Sequence, residues 1–324
     1  MTDVPRPRTV AAPVRTVFLG SGAFAVPIAE AVATHPSIRL VGVISAPDRP
    51  AGRGHRVRQA PMAAFARAHE WPLLQPARLR SVEGLASVRQ LDPGLLVLAD
   101  YGRIVPAALL EVPRGALNVH PSLLPRHRGA SPIAATILGG DVETGVTVIR
   151  MDAGVDTGPI VAQERTAVGP DETAPELEAR LAAMGARVLV NALSPWLAGL
   201  VTATRQPEEG ATVTRPLRRS DGKIDWTQDA ASIERQTRAY QPWPGSWTDS
   251  PAGQLTVWAG RVADEPAAAT DRAAGTVVPL GRGLAVVTGS GALELREVQL
   301  AGGRRVTGAD LRNGHPALVG ARLS

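Results

Sequence analysis

Asn118 and His120 stand two residues apart at the end of the apolar run Gly115–His120, GALNVH, and a proline and a basic turn, Arg126-His127-Arg128, follow closely. Residues two apart in a strand point to one face, so a carboxamide and an imidazole would aim into one cleft. Asp156 lies in a Gly-rich loop, RMDAGVDTGPIV, directly after another apolar strand. A carboxylate there could reach His120, orient its ring and hold a charge on it. Each piece has a plainer reading. A lone histidine is commonly structural, and Asp-Thr-Gly is what an Asx turn looks like. Taken together, Asn, His and Asp suit acyl transfer between two bound substrates. The amide and the imidazole would donate to a developing oxyanion. The aspartate would tune the histidine and help move a proton off an attacking amine. No serine–histidine nucleophile pair stands out, the six histidines are scattered, and no metal is expected.

Two further stretches could bind a ligand. In FLGSGAFAVP, Gly20 and Gly22 follow a strand and precede a helix, with Ala25 where a third glycine would stand. The looser dinucleotide fingerprint allows that alanine. The plainer reading is a tight strand-to-helix turn. The loop SAPDRPAGRGHRVRQAP carries Arg49, Arg53, Arg56 and Arg58, with Pro and Gly expected to prevent regular structure. Connections in α/β units are normally short, and gripping a phosphate backbone is a natural use for such a loop.

The elements that must position these residues alternate. Strands are expected at Val14–Gly20, Ile38–Ser45, Leu95–Gly102, Gly115–His120, Gly145–Met151 and Pro159–Val168, and helices at Phe24–His35, Ala60–Glu70 and Ser131–Gly140. Asn118 and His120 then sit at a strand's carboxyl end, where open α/β sheets bind ligands. A long helix follows, opened by the capping-box pair Thr173 and Glu176, with Leu177, Leu181, Met184 and Val188 facing the sheet. This is a Rossmann-like α/β domain, residues 14–204, with a mostly parallel sheet and helices on both faces. Residues 205–216 break the pattern with Pro, Gly and charge and are expected to be a linker. After one helix, Ala231–Tyr240, short glycine-punctuated strands suggest a small OB-like β-barrel over 217–324.

Bulk composition is consistent with this. The 324 residues are 44% apolar but only 3% aromatic, so the cores are aliphatic. Absence of cysteine excludes disulfides, thiolate catalysis and Cys-based zinc sites. Residues 1–13 lack the apolar core of a secretory signal and read as a disordered tail on a cytoplasmic protein, and no apolar run is long enough for a membrane span. The net charge is +5, and among the basic residues only Lys223 is lysine. Arginine's planar fork suits phosphate, although bias toward Ala, Arg, Gly and Pro explains the count equally.

The motifs LNVHPSLLPRHRGASPI and MDAGVDTGPI, at this spacing, resemble those of folate-dependent formyltransferases. APDRPAGRG, KIDW (Lys223–Trp226) and YQPWPGSW (Tyr240–Trp247) are similar to features of the branch that acts on initiator methionyl-tRNA. The resemblance runs from about Val14 to the C-terminus. It implies transfer of a formyl group from 10-formyltetrahydrofolate to the methionine α-amine, for initiation of protein synthesis, by a monomer. It implies a catalytic trio of Asn118, His120 and Asp156, and folate contact by Ser122, Leu123, Leu124 and Pro125. It also implies that Arg49, Arg53 and Arg56 of the basic loop, and Arg215, Arg218 and Arg219 of the barrel domain, meet tRNA. The alternative within the family is an amino sugar or another small amine as acceptor. Pro121, His127 and the GSGAFA turn depart from the family's usual pattern.

Overall fold

The computed structural model describes residues 12–51, 56–263 and 272–324. Arg53 and most of the expected N-terminal tail lie outside the described residues. By its contacts the chain divides into two compact units. The first comprises Met1–Arg128, Gly145–Thr166 and Ala179–Val213, and the second Gly129–Thr144, Ala167–Glu178 and Thr214–Ser324.

The first unit is built on a seven-stranded sheet. Its order is Ile160–Ala167, Glu143–Arg150, Ala116–His120, Leu95–Ala99, Val14–Leu19, Ile38–Ile44 and Leu73–Leu74. The pairs from Ala116–His120 through to Leu73–Leu74 are parallel. Parallel strands are covered on both faces and therefore read as continuous apolar runs. Val17, Phe18 and Leu19 are fully buried, as are Leu95, Leu96 and Val97. Glu143–Arg150 runs antiparallel to Ala116–His120, with Asn118 opposite Ile149 and His120 opposite Thr147. That reversal decides where Asp156 goes.

The long helix spans Ala174–Leu197. Glu176 accepts hydrogen bonds from the Thr173 backbone N–H (2.9 Å) and hydroxyl (2.7 Å). These bonds hold its carboxyl below the usual carboxylate range. Leu177, Leu181, Met184 and Val188 are all buried, as their spacing required. At Gly185 a Cβ would lie 2.9 Å from Val119, so the absence of a side chain lets the helix approach the strand that carries the site.

Between Glu70 and Leu95 the sequence reading gave no elements, yet a strand, Leu73–Leu74, and a helix, Val82–Arg89, form there. Two residues are too few to show a period, and Gly84 weakens the helical signal. The basic loop is a second departure. Arg49–Ala51 and Arg56–Arg58 pair antiparallel, Pro50 opposite Val57, where irregular chain was expected. A two-stranded ribbon has an outer edge on each strand, where a residue lacking an N–H is tolerated.

The second unit contains an antiparallel sheet in the order Ser246–Ser250, Gly253–Val262, Ala292–Leu300, Gly283–Val287 and Val277–Leu280, with Val306–Thr307 beside Ala292–Leu300. The final residues bond to both ends of this order. Leu323 donates to the Gly275 carbonyl and Val277 to that of Ala321, while Asp249 and Ser324 exchange N–H···O bonds. The ring encloses Trp226, Leu255, Val257, Val286, Leu293 and Leu295, among others. The helix Ala230–Ala239 begins at Asp229, whose side chain accepts from the Ser232 N–H.

Candidate active site

Asn118 and His120 leave the strand Ala116–His120 on the same face, as the two-residue spacing demands. Asp156 reaches them by a route the sequence did not reveal. Because Glu143–Arg150 is antiparallel, its carboxyl end lies beside Ala116 and Leu117, not beside His120, and Met151 donates to the Ala116 carbonyl. The following loop folds back over the Asn118–His120 face. Gly158 permits this, since a Cβ there would sit 1.9 Å from the Arg150 carbonyl oxygen. The plainer reading puts an Asx turn at Asp156-Thr157-Gly158; the turn seen in this loop is at Asp152, which accepts from the Gly154 N–H (2.9 Å) and the Thr157 hydroxyl (2.7 Å).

The carboxylate of Asp156 divides its two oxygens. Oδ1 accepts from Asn118 Nδ2 at 3.1 Å. Oδ2 lies 3.6 Å from His120 Nδ1, with the imidazole 5% and the carboxylate 16% exposed. The other ring nitrogen of His120, Nε2, is 2.8 Å from the His127 carbonyl oxygen. A carbonyl can only accept, so Nε2 carries a proton. The residues alone imply an imidazole that donates to an oxyanion and do not say from which nitrogen. Here Nε2 is held by the protein, and exchange with a substrate falls to Nδ1, at the Asp156 side of the ring. His127 has φ 59°, the left-handed region. Its N–H donates to the Thr212 hydroxyl at 2.8 Å, which fixes the turn that aims its carbonyl.

Ser122–Pro125 leads from His120 into this turn. Ser122 is fully buried and its hydroxyl donates to the Arg126 carbonyl at 2.6 Å, while Leu124 is buried at 3% exposure. The Leu124 N–H donates to Thr147 Oγ1, and Gln163 donates to the Leu124 carbonyl. Leu123 and Pro125 are half-buried. Ile104, on the loop after the strand Leu95–Ala99, and Val155, beside Asp156, are large apolar side chains left exposed.

The N-terminal glycines are explained by packing. A Cβ at Gly22 would lie 1.5 Å from an Asp100 carboxylate oxygen, and one at Gly20 would meet Ala25, Phe18 and the Ala99 carbonyl. Ser21 and Gly22 both turn their N–H groups to the Asp100 carbonyl. A carboxylate thus crowds Gly22, where a dinucleotide's phosphates would need to approach, which removes that reading. Among the described residues no group of three or more His, Cys, Asp or Glu could hold a metal, and no helix is long and apolar enough to cross a membrane.

The arginines proposed to meet tRNA fall into distinct settings. Arg49 and Arg56 lie on the two-stranded ribbon. Arg215 forks onto Asp221 with two 2.7 Å bonds, so much of its charge is neutralised. Arg218 is exposed, and Arg219 donates to Gln254 and lies 6.0 Å from the Trp247 ring centre. The Arg215 fork, with the Arg218 backbone N–H, depresses the Asp221 carboxyl to about 2. A depressed acid contributes stability above its ordinary value of 3.8 that is lost as pH falls through about 2. The melting-temperature advantage of the parent over Asp221→Asn is therefore expected to be full at neutral pH and to shrink across that acid window. An advantage that grew on acidification would contradict the assignment.

Residues 14–193 match the formyl transferase family model and residues 216–316 that of the formyl transferase C-terminal domain. The methionyl-tRNA formyltransferase of Roseiflexus sp. (strain RS-1) is 44% identical over 312 residues, 96% of this chain and 95% of that one. That of Solibacter usitatus is 42% identical over 301 residues, 93% and 95% of the two chains. Among solved structures, the N-formyltransferase of Helicobacter canadensis, in complex with folinic acid and dTDP-3-aminofucose, superposes with a TM-score of 0.62 at 17% identity, covering 87% of this chain and 98% of that one. HypX from Aquifex aeolicus in complex with tetrahydrofolic acid gives 0.60 at 15% identity, covering 95% and 48%. These two likenesses establish the fold, a parallel-rich α/β sheet followed by an antiparallel β domain. With both domain models matched in order and relatives of one kind aligned along nearly the whole length, the chain belongs to the formyltransferase family, in its methionyl-tRNA formyltransferase branch.

Proposed function

We propose that the enzyme uses Asn118, His120 and Asp156 to move the formyl group of 10-formyltetrahydrofolate to the α-amine of methionine on initiator tRNA. What supports this reading is one observation above the rest: a single carboxylate shared between a carboxamide at 3.1 Å and an imidazole nitrogen at 3.6 Å, on one strand face.

The amine nitrogen attacks the formyl carbon, and the carbonyl electron pair moves onto oxygen. Asn118 Nδ2 is a donor for that oxyanion, and His120 joins it once Nδ1 has taken up the proton lost by the amine. Collapse re-forms the carbonyl and breaks the bond to the folate nitrogen. The proton lost by the amine travels through Asp156 and His120 to the departing nitrogen. Ser122 and Leu124 act through the shape of the turn, with Leu123 and Pro125 as the members open to folate. Ile104 and Val155 offer apolar surface for its ring. The reading places the enzyme in the cytoplasm, where translation initiates, as a monomer whose cleft admits two substrates of unequal size.

The ribbon arginines Arg49 and Arg56, with Arg53 between them, grip the tRNA backbone, and Arg218 and Arg219 do so from the second unit, with Arg215 contributing less because of Asp221. Arg49→Ala or Arg53→Ala is expected to raise KM for charged tRNA and to lower its salt slope by roughly one contact. Steady-state kinetics across a salt series checks this. Unchanged KM and slope in both would remove the loop from the interface. The substrate itself is tested by formylation of initiator methionyl-tRNA, elongator methionyl-tRNA and a nucleotide-linked amino sugar side by side. Preference for the initiator is expected, and preference for the sugar would overturn the reading.

A further inference from the structure

We propose that Gln206 is a positioning residue for Asp156. This rests on the reading of Asp156 as a member of the catalytic trio. Gln206 stands in the stretch expected to be a linker, yet it is only 3% exposed. Its amide nitrogen donates to two carbonyls of one loop, those of Asp156 (2.7 Å) and Gly158 (2.7 Å). Its oxygen accepts from Arg128 Nε at 3.0 Å. Arg128 is itself buried, and another guanidinium nitrogen lies 3.7 Å from the Glu208 carboxylate.

This pattern uses what glutamine uniquely supplies. Two N–H groups meet two acceptors and one carbonyl meets a cationic donor. Glutamate keeps the acceptor but has no donor to offer, and asparagine is one methylene short.

The first of these bonds falls on a strained residue. Asp156 has φ 52°, a left-handed conformation that a residue with a side chain holds only when its surroundings fix it. Its carboxylate oxygens face different partners, so a modest rotation at this backbone loses Asn118, His120 or both. Arg128 adjoins His127, whose carbonyl holds Nε2 of His120. Gln206 therefore ties the loop that carries Asp156 to the turn that anchors the imidazole, and so sets the spacing between the two groups.

The test is a mutant cycle on the full-length enzyme with charged initiator tRNA and 10-formyltetrahydrofolate. Gln206→Leu, Gln206→Glu, Asp156→Asn and the Gln206→Leu/Asp156→Asn pair are compared, each checked for folding by thermal melting. Gln206→Leu is expected to lower kcat about 10- to 100-fold, with KM for tRNA within about twofold. In the Asp156→Asn background the same change should cost less than about threefold, because no carboxylate remains to be positioned. Gln206→Glu should show the same kcat loss, which secures the result if the leucine variant does not fold. Losses that multiply across the cycle, or a kcat within about twofold of the parent in well-folded variants, would overturn the proposal. If Asp156→Asn alone keeps parental turnover, the catalytic reading of Asp156 falls, and the inference with it. If Asp156→Asn is crippled and Gln206→Leu is not, the inference alone fails.

Discussion

Asp156→Asn is expected to formylate initiator methionyl-tRNA about 10²- to 10⁴-fold more slowly than the parent, the usual span for loss of a group that moves a proton. The substitution keeps the shape of the side chain. Its carbonyl can still accept from Asn118, so the loop has reason to stay in place. What disappears is the negative charge 3.6 Å from His120 Nδ1. Without it the imidazole has no partner to stabilise its protonated form or to pass on the amine's proton. Binding of charged tRNA, measured by filter retention, should stay within about threefold, since phosphate contacts supply most of such affinity. Single-turnover rates separate this chemical defect from slow product release. A rate within about threefold of the parent would remove Asp156 from the mechanism.

Asn118→Ala is expected to lower kcat about 10²- to 10³-fold, the scale of losing one oxyanion donor. The strand should tolerate the change, because the neighbours Leu117 and Val119 are buried and the ladder to Glu143–Arg150 needs only backbone. Asn118→Asp is the sharper variant. It sets a second carboxylate where a donor stood 3.1 Å from Asp156, and two acids that close cannot both stay ionised. One must hold a proton at neutral pH, so the pH–rate profile should move as well as the amplitude. An alanine variant with parental kcat, or an aspartate variant with an unmoved profile, would show that Asn118 only packs.

Much of this architecture was legible in the residues. The parallel strands other than the two-residue Leu73–Leu74 are apolar and local, so their composition shows them without knowledge of their neighbours. Asn118 and His120 share a face because strand geometry allows nothing else at that spacing. Asp156 was legible as a carboxylate in a Gly-rich loop, but not its path. That path depends on the reversal of Glu143–Arg150, a tertiary fact with no mark in the segment itself. The two early glycines admitted a phosphate site or a tight turn until Asp100 was placed against Gly22. Arg215 looked like free charge because its acid partner, Asp221, lies on the far side of Pro216 in a segment without periodicity. Gln206 and Thr212 were invisible for a related reason. Each is a lone polar residue among Pro, Gly and charge, and its use appears only when its hydrogen bonds do.

The claim that an amide, an imidazole and a carboxylate act as one unit is tested most directly by single-turnover formylation with His120→Ala, Asp156→Asn and the double variant. Acting as a unit, each single change costs at least about 100-fold and the double costs little more than the worse of the two. Losses that multiply, or a His120→Ala enzyme that formylates at the parental rate, would mean that these groups meet at 3.6 Å without sharing a task.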